Sequence, residues 1–247
     1  MNEALADFWV DDQPCAVHQF GTAPAEQALP LFVMPVAFSP DDTLEGQHMR
    51  LDDVVRRGEA PPFRLVTFVV HHWGNDLSPW PASSIFPHEP NFAGNAPQTL
   101  DWLAQRLIPA VGKRFAIGEE KGIVGGSLGG LFALWAIHET NLFTVCGSCS
   151  GSLWYEGFID YLQERQPQAP CHVYLCLGAQ EEKTRTRLFR QVGDATRRAI
   201  ELLQTSPMTQ DAVLEWFPGG HSGHTGRRLA AAQLWMAQHT RATPQTA

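Results

Sequence analysis

Short apolar runs alternate with longer helical patterns through most of this chain, and that order limits the possible folds more than any other feature. A parallel sheet covered by helices requires the alternation, because each crossover between parallel strands takes about a dozen residues or more. Several runs are continuous in Val, Leu, Ile and Phe, as is typical of strands buried on both faces. The strand candidates are residues 15–20, 31–38, 64–71, 122–125, 143–149, 171–177 and 212–217.

The intervening segments have the periodicity of helices. In the clearest of them four apolar residues recur at spacings of three and four, which places them on one helix face. Because the 247 residues contain no internal repeat and no linker, we predict a single domain over 1–247. The helix candidates are 98–111, 128–138, 153–165, 187–203 and 226–239.

The segment 78–97 contains five prolines together with Trp80, Phe86 and Phe92. Proline excludes a helix interior and an interior strand, so we predict a long ordered loop. Its aromatic side chains either form a wall beside a pocket or simply anchor a surface loop on the core. The last residues, 240–247, predict a frayed tail.

The charge of the chain argues against two classes of partner. It has 18 Lys and Arg against 26 Asp and Glu, a net charge of -8, which repels phosphate backbones and anionic lipid surfaces. We therefore expect no nucleic acid and no membrane partner.

No run reaches the ~18 apolar residues of a membrane span, and the first residues lack a secretory signal. Five cysteines, an odd number mostly within apolar runs, indicate reduced thiols and hence a cytoplasmic location.

A G-x-S-x-G pattern, Gly125-Gly126-Ser127-Leu128-Gly129, lies between an apolar strand candidate and a helix candidate. This is the setting of a nucleophile elbow, a sharp turn that strains the serine backbone and brings the flanking backbones close together. The positions two before and two after the serine must be small, and both are glycine. Glycines at such turns also have a purely structural use, so the assignment of Ser127 as nucleophile depends on its partners.

A catalytic serine needs an imidazole to accept its proton and a carboxylate to orient that imidazole. In α/β-hydrolases both follow the serine, the acid first. The strand candidate 171–177 is followed by Glu181 and Glu182, and either carboxylate can face the active site from a loop at the strand end. The last strand candidate ends in a Pro-Gly-Gly turn followed by His221, the predicted base. His224 is the second choice because it lies nearer the next helix.

The oxyanion of a tetrahedral intermediate needs backbone N–H donors. The amide of Leu128, at the start of the helix after the serine, is the first predicted donor. We expect the second in the loop after the third strand candidate, at an amide near Trp73 or Gly74. Together with the order serine, acid, histidine, these features predict an α/β-hydrolase fold with a mostly parallel central sheet and helices on both faces.

These residues resemble the putative esterase family of α/β-hydrolases, which is related to esterase D and to the enterochelin and other siderophore esterases. The likeness covers about three quarters of the chain. It lies in GNDLSPWPA at 74–82, GIVGGSLGGLFALWA at 122–136, LGAQEEKTR at 177–185 and GGH at 219–221. It also includes 150–155, where Ser-Gly-Ser-Leu-Trp replaces the Ser-Pro-Ser-Leu-Trp that the family often has.

The resemblance implies a triad of Ser127, Glu181 and His221 that cleaves the ester bond of a small molecule without a cofactor. It favours Glu181 over its neighbour because the family's acid resembles the fourth residue of a Gly-x-x-Glu turn, which begins here at Gly178. It names no particular substrate, because members of the family cleave very different acyl groups.

Other functions are compatible with the same residues. The triad also supports acyl transfer to an alcohol or thioester cleavage, and a non-catalytic binding protein can keep the fold. Cys146 and Cys149 form a C-x-x-C, and His71 precedes His72, which in other settings indicates metal or redox chemistry. There is no second C-x-x-C and no H-E-x-x-H, so we predict a serine esterase with no metal site.

Overall fold

The computed structural model describes residues 5–38, 47–84, 90–183 and 190–240, and of 47–50 only the backbone. Its centre is an eight-stranded sheet, within the described residues, in the order β1-β2-β4-β3-β5-β6-β7-β8. The strands are β1 Ala6–Val10, β2 Gln13–Phe20, β3 Leu29–Val36, β4 Phe63–Val69, β5 Ile117–Gly126, β6 Val145–Cys149, β7 Cys171–Gly178 and β8 Thr209–Phe217.

The direction of the strands divides the sheet into a small antiparallel edge and a large parallel part. β1 pairs antiparallel with β2, and β2 pairs antiparallel with β4. The pairs from β4 through β3, β5, β6 and β7 to β8 are all parallel. The carboxyl ends of these parallel strands therefore lie at one edge of the sheet, where loops from different parts of the chain meet.

Six helices cover the sheet in the described part of the chain. The second of them, α2, is continuous over 96–112 and consists of Ala96–Trp102, a π-helical segment Leu103–Leu107 and Ile108–Gly112. The others are α1 Gln47–Arg56, α3 Leu128–Glu139, α4 Phe158–Glu164, α5 Val192–Thr205 and α6 Thr225–Gln238. A single helical turn Trp73–Asp76 and a 3-10 turn Glu181–Lys183 follow β4 and β7.

Helices pack on both faces of the sheet because successive strand residues point to opposite sides. In β5, Ile123 belongs to the cluster that contains Leu131 of α3, and the next residue, Val124, belongs to the cluster that contains Met236 of α6. All of α3 from Leu128 to His138 is buried, which explains its apolar residues on every side. The predicted mostly parallel sheet with helices on both faces is confirmed.

All seven strand candidates correspond to strands, with ends that differ by a few residues. The largest difference is in β5, which begins at Ile117 although its apolar run was recognised only from 122. The polar residues Glu119 and Glu120 interrupt the apolar pattern, so the first half of this strand was not recognised in the sequence. β1 was not predicted, because it is a short edge strand in which Trp9 is exposed and the apolar run is interrupted.

The predicted helices differ from the observed ones more than the predicted strands do. α1 was not predicted, and α4 begins at Phe158 rather than at 153, after Gly157 in a left-handed conformation with φ 77°. The candidate 187–203 corresponds to α5, and its residues 187–189 lie outside the described part of the chain.

Two predicted irregular segments are described only in part. In the loop 78–97, residues 85–89 lie outside the described residues, a β-bridge joins Ala82 to Phe92, and α2 already begins at Ala96. In the predicted tail, Thr240 is buried, and 241–247 lie outside the described residues. None of the helices in the described ranges combines the length and the apolar character needed to cross a membrane.

Candidate active site

Ser127 lies at the carboxyl edge of the sheet, on the turn from β5 into α3. Its backbone has φ 56° and ψ −124°, a conformation that residues other than glycine rarely adopt. Its N–H donates to the carbonyl of Cys149 over 3.0 Å, and its own carbonyl accepts from the N–H of Ser152 over 3.0 Å. These bonds to the end of β6 and the loop after it hold the strained residue in place.

Glycine is a steric requirement at position 125 of the turn, and at position 129 it relieves a tight contact. A Cβ atom on Gly125 would lie 2.5 Å from the carbonyl carbon of Gly129, and no side chain there can move aside because the clash is with backbone. A Cβ atom on Gly129 would lie 3.1 Å from Pro35 and 3.5 Å from the ring of Trp73. The motif therefore describes a real close approach of strand and helix.

His221 lies on the loop between β8 and α6 and reaches Ser127 across the edge of the sheet. Its Nε2 is 3.2 Å from the Oγ of Ser127, and its Nδ1 is 2.7 Å from the Oε2 of Glu181. About half of the His221 side chain is exposed, whereas Glu181 is buried. An imidazole so placed can accept the serine proton at one nitrogen while the carboxylate fixes its other N–H.

The Glu181 carboxylate is held by more than the histidine. Its Oε1 accepts bonds from the Gly178 N–H at 2.7 Å, from the Ser150 Oγ at 2.7 Å and from the Arg228 Nη1 at 3.0 Å. Burial by itself raises the pKa of this carboxyl, but the hydrogen bonds from His221, Ser150 and Gly178 outweigh it and hold the pKa below its ordinary value. Glu181 is thus kept ionised.

The two alternative residues from the sequence lie elsewhere. Both carboxylate oxygens of Glu182 accept bonds from Arg197 on α5 at 2.9 Å, which directs this side chain away from His221. His224, with φ 61°, precedes the first residue of α6, and its carbonyl accepts from the N–H of Arg228. The structure brings together Ser127, Glu181 and His221 rather than these neighbours.

The predicted oxyanion donors have different outcomes. Leu128 is the first residue of α3, where backbone N–H groups have no acceptor within the helix. Trp73 was chosen because it follows the third strand candidate of the sequence, which is β4 in the structure. Since β1 precedes all the candidates, the third strand of the structure is β3, and the loop after it begins with Ala37 and Phe38. β3 lies directly beside β5, whereas β4 is one strand farther away.

Two cavities flank Ser127. One, of about 560 Å³, has mostly apolar walls, formed by Trp73, Phe92, Leu128, Trp154 and Val192 among others. The second, of about 500 Å³, lies along the end of β3 and includes Ala37, Phe38, Thr225 and Leu229. Ser127 and His221 border both cavities. The two groups on either side of a bond that is held at the serine oxygen can therefore occupy one cavity each.

The residues suggested for metal or redox chemistry are arranged differently. Cys146 and Cys149 are buried thiols in β6, and burial raises the pKa of each well above its usual value. His71 and His72 are exposed at the end of β4. In the described ranges, no group of three or more His, Cys, Asp or Glu side chains is placed to hold a metal ion.

Two residues of this site were not recognised in the sequence. Ser150 and Arg228 both contact Glu181, and Arg228 is almost fully buried. The sequence contains a pattern from which Arg228 could have been recognised as buried. It lies at four-residue spacing from Ala232 and Met236, on the face of α6 that packs against the core. A charged residue in such a stripe is rarely buried unless it is paired.

Comparisons with known proteins agree with this fold. The model of the family described as "Putative esterase" matches residues 42–235. The uncharacterized protein YbbA of Bacillus subtilis (strain 168) is 25% identical over 206 residues, which cover 80% of this chain and 78% of that protein.

Two solved structures show the same architecture at low sequence identity. The siderophore hydrolase EstB from Aspergillus nidulans has a TM-score of 0.74 and 16% identity, covering 96% of each chain. The IroE-like serine hydrolase from Shewanella oneidensis has a TM-score of 0.74 and 14% identity, covering 89% of this chain and 74% of that chain. The shared fold is that of the α/β-hydrolases, as predicted.

Proposed function

This chain belongs to the Putative esterase family and is a carboxylic ester hydrolase, and from that premise we propose that it works through an acyl-enzyme formed on Ser127. The observation that carries the proposal is the continuous hydrogen-bonded chain from the Ser127 Oγ through His221 to Glu181, with distances of 3.2 and 2.7 Å. Family membership also favours an enzyme over a binding protein that merely keeps the fold.

In the first half of the reaction, His221 accepts the proton of Ser127 as its oxygen attacks the ester carbonyl carbon. The tetrahedral oxyanion receives hydrogen bonds from the amide of Leu128 and from an amide at Ala37 or Phe38, the residues that leave β3 beside the serine. The protonated imidazole then donates to the leaving alkoxide, and the acyl group stays on Ser127. Glu181 stabilises the imidazolium through this step.

In the second half, water replaces the alcohol. His221 removes a proton from the water as its oxygen attacks the acyl carbon, and returns that proton to the Ser127 oxygen as the acid leaves. The half-exposed imidazole supports this step, since water can reach it from the open side. His221 is the one side chain that carries the proton between the serine, the alcohol and the water, and Glu181 stays ionised throughout.

The cleft suggests which esters fit. We place the acyl chain in the cavity of about 560 Å³ bordered by Trp73, Phe92 and Trp154, because apolar walls favour an apolar chain. The alcohol then lies in the second cavity along the end of β3, whose lining includes Ser222 and Thr225. We expect small-molecule aryl esters of short acids as good substrates, with neither nucleic acid nor a membrane surface as a partner.

Fluorophosphonate labelling tests the nucleophile without knowledge of the substrate. The probe phosphonylates an activated serine, so we expect one label per chain and, after digestion, a modified peptide that contains Ser127. Heat-denatured protein is the control, because labelling requires the assembled site. Labelling of another serine in the folded protein, or of none, would contradict the proposal.

Trp154 is expected to set the length of the acyl chain. Together with Phe92 it borders both the acyl cavity and a neighbouring cavity of about 610 Å³, so it forms part of the wall between them. Trp154→Ala joins the two spaces and leaves room for about two further methylenes, each contributing about 0.8 kcal/mol when buried. The ratio of kcat/KM for p-nitrophenyl octanoate to that for the acetate should rise about tenfold.

The matched control is Trp9→Ala, since Trp9 is an exposed tryptophan on the edge strand β1. This variant should keep the ratio of the wild type. If Trp154→Ala lowers both rates equally and leaves the ratio unchanged, the acyl chain does not occupy this cavity.

We also propose a cytoplasmic location. All five cysteines are free and buried, and such thiols persist in reducing compartments. The net charge of -8 supports a small neutral substrate rather than a polyanionic partner.

A further inference from the structure

Arg228 is a buried cation that the proposed reaction does not use directly. It projects from the first turn of α6 and is only 1% exposed. Its Nη1 lies 3.0 Å from the Oε1 of Glu181 and donates to the Ser150 Oγ at 2.6 Å and to the carbonyl of His221 at 3.1 Å. Its Nη2 donates to the carbonyl of Gly220 at 2.7 Å.

These contacts join parts of the site that are far apart in the chain. One guanidinium holds the carboxylate that follows β7, the loop that follows β6, and the turn before α6 that carries the histidine. A planar guanidinium can make several such bonds in fixed directions, whereas an ammonium group cannot. Arg228 therefore connects the carboxylate of the acid directly to the backbone of the turn that carries the base.

Ser150 completes the arrangement. It accepts from Arg228 and donates to Glu181 over 2.7 Å, and its backbone has φ 48°, a left-handed conformation that is uncommon for serine. Its N–H donates to the carbonyl of Cys176 at 2.7 Å, which fixes the strained residue to the end of β7. A strained residue so held adjacent to the proposed triad is typical of functional sites.

We propose that Arg228 is a positioning residue that holds the Glu181 carboxylate and the His221 turn in register for proton transfer. The inference depends on the proposed function, since it assigns a role relative to that triad. Arg228 borders the second cavity, but none of its hydrogen bonds given above reaches Ser127, so we infer that its effect on the serine passes through Glu181 and His221.

The test compares three neutral or conservative replacements at one position. We would measure kcat and KM for p-nitrophenyl acetate for Arg228→Met, Arg228→Gln and Arg228→Lys. In the neutral variants we expect kcat to fall about tenfold or more and KM to change less than about twofold, because Arg228 orients the groups that transfer the proton and does not bind the ester. Arg228→Lys should also lose about tenfold in kcat, because it retains the charge without the bridging geometry.

Arg227→Met is the matched control, since it removes the same charge from the neighbouring exposed residue and should leave kcat and KM unchanged. Circular dichroism and thermal unfolding establish which variants are folded. A folded neutral variant with the kcat of the wild type overturns the proposal, and so does Arg228→Lys with unchanged kcat. The lysine variant keeps the proposal testable if the neutral ones do not fold.

The outcome is separable from that of the proposed function. If the wild type is labelled at Ser127 while the Arg228 variants behave as the wild type does, only the positioning role fails. If Ser127 is not labelled, the triad itself is wrong.

Discussion

Replacing Ser127 with alanine should lower kcat for ester hydrolysis by about a millionfold while the fold is retained. The loss is so large because serine, histidine and carboxylate act as a unit, so removal of the nucleophile leaves the other two with nothing to activate. The substitution removes one oxygen at a partly exposed position and creates no cavity in the core, so the free energy of unfolding should change by less than about 1 kcal/mol. Both quantities are measured on the same purified protein.

Ser206→Ala is the matched control for this substitution. Ser206 precedes β8, at the opposite edge of the sheet from the active site, and bonds to Gln166. This variant should have the kcat of the wild type. If Ser127→Ala keeps more than about one tenth of the activity, Ser127 is not the nucleophile, because another group must then attack the ester.

Glu181→Gln is the second large effect, with an expected fall in kcat of about ten-thousandfold. The amide cannot stabilise the imidazolium, and it can hold the ring in the wrong tautomer by donating to Nδ1. Glu182→Gln is the control one residue away: its carboxylate pairs with Arg197 at the surface and is not in contact with His221. We expect Glu182→Gln to keep kcat within about twofold and to cost less than about 1 kcal/mol of stability.

The same glutamate also balances a buried charge, so its replacement should affect folding. Without the carboxylate, Arg228 is left buried with no counter-charge, which costs about 3–5 kcal/mol in comparable cases. Chemical denaturation of Glu181→Gln should therefore show a much larger loss than that of Glu182→Gln. If Glu182→Gln reduces kcat more than Glu181→Gln does, the acid has been assigned to the wrong neighbour.

The parallel sheet could be predicted because buried strands are marked by continuous apolar runs. β6 and β7 were recognised in this way, whereas the edge strand β1 was not, since one side of it faces water. That single omission shifted the strand count by one, so the oxyanion donor was predicted near Trp73, after β4, whereas we propose one after β3. A missed edge strand therefore changed a prediction about the site.

Within the candidate site, the sequence alone determined what depends on neighbours along the chain. The glycine at 125 specifies a close approach of β5 and α3, because the contact it requires is local. The residues by themselves left Glu181 and Glu182 as equal candidates for the acid, and only the resemblance to the esterase family favoured Glu181. Only the tertiary structure decided that His221 and Ser127, 94 residues apart, come within 3.2 Å, and that an arginine is buried behind the acid. Those distances depend on strand order and register across the whole sheet, which no local pattern encodes.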